Sequence, residues 1–97
     1  MTVLQFLICA MIDKQTDQVA WALLMYELED AEDGLRSLFQ DIAENKEFGE
    51  IEFEIHMRHI YGHLNRAWNR RNATDAKSQD EKLYDKWSRF PTDIEPL

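Results

Sequence analysis

Turn-forming residues are scarce in this 97-residue chain, which has three glycines and two prolines. A many-stranded β protein needs a turn roughly every ten residues, so that architecture is excluded and a few long helices are favoured. Cysteine is almost absent. The single one, Cys9, excludes an intrachain disulfide and a thiolate zinc site. It lies in an apolar run and reads as a small buried hydrophobe. Basic residues are in deficit, with eleven Lys and Arg against nineteen Asp and Glu and a formal net charge of -8. Attraction to nucleic acid or to an anionic membrane needs the opposite surplus, so neither is expected as a partner. No apolar run approaches the roughly 20 residues that cross a bilayer. The longest, Val3 to Ile12, is broken by Gln5 and lacks both the basic flank and the small-residue cleavage site of a signal peptide. A cytoplasmic location is the expectation. The serines Ser37, Ser78 and Ser88 stand in no nucleophile motif, and there is no glycine-rich phosphate loop.

What is present is helical spacing. The length suits one domain, and 44% of the residues are hydrophobic. From Trp21 the apolar residues Leu24, Leu28, Ala31, Leu35, Leu38 and Ile42 alternate in steps of three and four, a heptad seam. This predicts a helix over about 17–45, with Asp17 as its N-cap. A second seam, Phe53, Met57, Ile60, Leu64 and Ala67, predicts a helix over about 50–72. The short link "NKEFGE" makes the pair an antiparallel hairpin with seam against seam. Val19, Leu23 and Tyr26 form another apolar stripe on the first helix and need a cover. The segment 3–12 is the natural candidate, as an N-terminal helix, although a buried strand fits its all-round apolarity equally well. A self-association interface would explain that apolarity too. After Asn72, "NATDAKSQD" reads as a loop, and Leu83, Trp87 and Phe90 predict a short fourth helix over about 78–89. The fold class is therefore all-α, a small helical bundle built on a long hairpin.

Residues 52–71, "EFEIHMRHIYGHLNRAWNRR", gather all three histidines and four of the eleven basic residues, with no acid after Glu54. At about 100° per residue, His56, His59, His63, Arg66 and Arg70 share roughly 80° of arc. That arc lies on the flank of the predicted seam, a boundary position. His59 and His63, at i and i+4, have the spacing that lets two imidazoles reach one divalent metal ion. His56 with His59 is the alternative pair, and all three are too far apart along the axis to serve one ion. The acidic run "ELEDAED" of the other helix is not well placed, because the hairpin sets Ala31 roughly opposite Leu64 or Ala67; Glu27 and Asp30 are its candidate partners for His63 or Arg70. The ordinary role of such histidines is hydrogen bonding to carboxylates. Arg66 and Arg70 suggest contacts to a phosphate or carboxylate, because guanidinium offers a bidentate fork. Equally, residues 1–57 carry thirteen acids against three bases. The basic arm then pairs with the acidic arm and sets the antiparallel orientation.

Two functional readings follow. The first is a protein-interaction or self-associating module, acting as a homo-oligomer or on a protein partner. The alternative is a metal- or anion-binding small enzyme or sensor that uses the His/Arg stripe.

Overall fold

The computed structural model describes residues 11–97. Two long helices dominate it: α1, Gln18–Glu44, and α2, Glu50–Asn69. They pack antiparallel, as the expected hairpin. Two short helices follow, α3 (Asp75–Ser78) and α4 (Tyr84–Trp87), with a 3-10 turn at Glu81–Leu83 between them. The described residues contain no strand. The expected N-terminal segment 3–12 lies outside the described residues except for its last two positions. Ile12 is buried against Ala20, Leu24 and Ala67, with Trp21 alongside, and its N–H donates to the carbonyl of Arg71. The chain therefore enters at the open end of the hairpin.

α1 starts one residue later and ends one earlier than its spacing predicts, but its N-terminus is capped differently. Asp17 occupies the N-cap position, and its carbonyl accepts from the N–H of Trp21 at 2.9 Å, but its carboxylate makes no bond to the helix and instead accepts from the N–H of Asp13 at 3.1 Å. The free N–H of Ala20 donates to the Asp75 carboxylate, 2.8 Å away and 55 residues on. That makes α3 a cap for α1, supplying the acceptor that an open helix end requires. The segment read as a loop thus contains a helical turn with a purpose. The single fourth helix expected over 78–89 is broken into the 3-10 turn and α4. Its aromatic side chains still lie over α2, with Phe90 edge-on to Tyr61 at 5.1 Å between centroids.

The facing seam is also not the one that apolar spacing suggests. The buried residues of α1 are Ala20, Leu24, Glu27, Ala31, Gly34 and Leu38. Leu28, Leu35 and Ile42 stand 42%, 42% and 50% exposed. Across from them, Ile60, His63 and Ala67 are buried, whereas Phe53 and Leu64 are exposed. Each helix is turned by part of a residue step, which brings His63 and Arg66 from the flank into the buried seam, while His59 stays exposed. Small residues permit the approach. A Cβ on Gly34 would meet Ile60 Cγ1 at 3.0 Å and His59 Cδ2 at 3.4 Å.

The rotation has a consequence for the surface. In two antiparallel helices, one step forward from each of two facing residues leads to the same side of the pair. Glu27 faces His63, so Leu28 and Leu64 project to one side. By the same periodicity Leu35, Phe39 and Ile42 of α1 join Phe53 and Met57 of α2 there. The α-helical hairpin therefore has one polar-cored seam and one apolar side.

Candidate functional site

Glu27, on the third turn of α1, is only 7% exposed. Its Oε1 accepts from His63 Nδ1 at 2.8 Å, and its Oε2 accepts from Arg66 Nε at 2.6 Å. Arg70 Nη1 lies 3.8 Å from the same Oε2. His63, Arg66 and Arg70 are one helical turn apart on α2, so a single carboxylate gathers all three. A buried carboxylate persists only when paired and hydrogen-bonded in this way.

Each arginine is held a second time from the C-terminal segment. Arg66 Nη1 donates to Ser88 Oγ at 2.9 Å, and its guanidinium sits 4.4 Å from the centre of the Tyr84 ring. Arg70 Nη2 donates to the carbonyl of Ser78 at 2.8 Å, beside the Trp87 ring. Burial lowers the Arg70 pKa; the Glu27 charge opposes that shift, and Arg66 adds to it. The asparagines of α2 fasten the same segment. Asn65 donates to the carbonyl of Ser88, and Asn69 to those of Trp87 and Arg89. Further along, Asp93 accepts from the Trp68 indole at 2.9 Å and from Arg71 at 3.1 Å. Those contacts, the indole bond first, lower the Asp93 pKa.

The histidines divide into two groups. His56 Nε2 is 2.9 Å from Asp41 Oδ2, near the hairpin turn. His63 and His59 face each other, Nε2 to Nε2, at 3.2 Å. The proton positions follow from chemistry. Arg66 Nη2, a donor only, also lies 3.1 Å from His63 Nδ1. The Nδ1 proton belongs on the bond to the carboxylate, the stronger acceptor, which leaves Arg66 Nη2 as a close neighbour. A neutral His63 then offers a lone pair at Nε2, and His59 Nε2–H donates to it.

The metal residues and anion residues of the sequence reading are thus partly brought together. His59 and His63 adjoin, and His56 stands apart. Glu27, Asp30 and His63 place ligand atoms within 4.8 Å of one another. The Arg66 guanidinium shares that space and opposes a cation there. Arg66 and Arg70 both point inward at Glu27, so much of their donor capacity is used within the chain.

Spacing alone misses Arg58. With His59 and Arg66 it lines an open groove of about 470 Å³ along α2, bounded also by Ile55, Tyr61, Gly62 and Phe90. The only sequence signal was its position four residues before Gly62 and eight before Arg66. Among the described residues no helix is long and apolar enough to cross a membrane. Comparison with protein-family models, curated proteins and solved structures finds no match to this chain.

Proposed function

We propose that this protein is a self-associating interaction module, in which the apolar side of the hairpin packs against the same side of a second copy. One observation carries the reading. Both helices direct their unspent apolar stripes to one side, and that side is uncovered among the described residues. Phe39 is 67% exposed, and Leu28, Leu35, Ile42, Phe53 and Leu64 are each more than two-fifths exposed.

The interior explains why such a surface needs a partner. The buried apolar residues are Ile12, Ala20, Leu24, Ala31, Leu38, Ile60, Ala67 and Ala73, of which half are alanine. Among the described residues no large side chain is fully buried. The radius of gyration is 16.2 Å, against about 12.5 Å for a compact chain of this length. A second copy fits by extent and by charge. Along α2 the side is about 30 Å long and two helices, about 20 Å, wide. Its projected area of roughly 600 Å² approaches the ~800 Å² per partner of a standard interface. Its centre carries no charge, so a two-fold axis through it sets apolar against apolar and produces a four-helix bundle. The mass in solution tests this. A dimer at micromolar concentration is expected, and a strict monomer at every accessible concentration would remove the reading.

A further inference from the structure

We infer that the groove over Gly62 is a binding site for a small anion, a phosphate or carboxylate attached to an apolar body. The groove lies away from the apolar side, so this inference does not depend on self-association.

Its basic side chains are Arg58, His59 and Arg66, with no carboxylate among the lining residues. That is unusual on a chain of net charge -8. Arg58 is exposed, and no ion pair of the described residues engages it. Arg66 supplies the floor. It is only 6% exposed; of its five N–H donors, Nε is committed to Glu27 and one on Nη1 to Ser88, and Nη2 lies 3.1 Å from His63 Nδ1, so the part left for a ligand is the Nη1 edge beside Gly62. A Cβ at Gly62 would lie 3.2 Å from Arg66 Nη1, so the missing side chain keeps that edge of the guanidinium open. The cluster behind it has two buried guanidiniums against one buried carboxylate, with the exposed Asp30 carboxylate 4.0 Å from His63 on its far side. Guanidinium groups bind phosphate and carboxylate through paired N–H donors, with geometry that a lone ammonium lacks.

The remaining wall sets the rest of the ligand. Phe90 meets Tyr61 edge-to-face, and Ile55 beside them is 61% exposed. This places apolar surface next to the cationic floor. Mixed lining of this kind, apolar with a few converging polar groups, is characteristic of small-molecule sites.

The test is a titration of the full chain with inorganic phosphate and with phenyl phosphate at fixed ionic strength, followed through the Gly62 amide signal. Saturable shifts are expected, with phenyl phosphate the tighter of the two. Arg58→Ala, an exposed change that leaves the fold intact, should weaken both by about tenfold through loss of a charge-assisted hydrogen bond. Phe90→Ala should abolish the preference for phenyl phosphate, and Arg36→Ala, on α1, should change neither affinity. Shifts that chloride reproduces at equal ionic strength would overturn the proposal, and so would an Arg58→Ala chain that binds as the parent does. Unchanged phenyl phosphate preference in Phe90→Ala would overturn the apolar half of the site.

Discussion

The seam and the apolar side of this hairpin are built from the same two helices, one residue step apart, and they are opposite in character. The seam is narrow, lined by alanine and glycine, and holds a buried carboxylate with its imidazole and guanidinium partners. The side is wide, bears leucine and phenylalanine, and is exposed. The more hydrophobic surface is not the one the chain buries within itself. What decides the inward face is complementarity. Glu27 can enter the seam only because His63 and Arg66 meet it there, and once they have met, each helix's rotation is set. The apolar stripes are then left exposed among the described residues.

Changes in the seam should have the largest effects. Glu27→Gln leaves two buried guanidiniums without their counter-charge and should cost about 3–5 kcal/mol, read from urea unfolding. A loss below about 1 kcal/mol would mean that the cluster adjusts without it, and the contrast between seam and side would fail.

Changes on the side should act on assembly before stability. Leu35→Glu or Phe39→Glu should convert the proposed dimer to monomer in sedimentation, while helical circular dichroism of the monomer remains. If both variants sediment as the parent does, the interface lies elsewhere.

Gly34→Ala is a smaller test of how closely the seam is packed. Alanine improves helix propensity by about 1 kcal/mol, but its Cβ would press on Ile60 Cγ1 at 3.0 Å, and overpacking costs about 1–3 kcal/mol. A net loss of about 1 kcal/mol is expected, and a gain in melting temperature would show that the helices separate freely.

The smallest effect concerns the C-terminal strap. The folded Asp93 pKa lies below its ordinary 3.8. The stabilisation from that shift is complete above pH 3.8 and is lost as pH falls through the lowered folded value. Trp68 fluorescence should therefore change in that acid range, and Asp93→Asn should remove the transition. An identical acid transition in the variant would assign it to another carboxylate.

Much of the frame was legible. The all-α class, the antiparallel hairpin and the extent of α1 follow from three-and-four spacing, because local periodicity needs no knowledge of partners; α2 ends at Asn69, three residues before the expected 72. Glu27 and Asp30 were visible only as candidate partners for His63 or Arg70, from an acidic run that the hairpin register did not place well. The caps were not legible in full. Asp17 has the right residue type at the right place, yet the N–H of Ala20 is met by Asp75 from the far end of the chain. Spacing laid the C-terminal aromatics over the hairpin, but not the division of the expected 78–89 helix into a 3-10 turn and α4. Arg58 could not be singled out, because a groove forms only when Phe90 and Ser88 return across α2.

By itself, the order of residues determined two long amphipathic helices, their antiparallel hairpin, and the gathering of imidazoles and guanidiniums on one of them. These are consequences of short-range periodicity, backbone hydrogen bonding and a brief link. Only the tertiary structure decided which face of each helix turns inward. A charged residue reads as surface until its counter-charges are known, and those of Glu27 lie 36 to 43 residues away. Desolvating a carboxylate is unfavourable alone and tolerable in company, and that company exists only after folding.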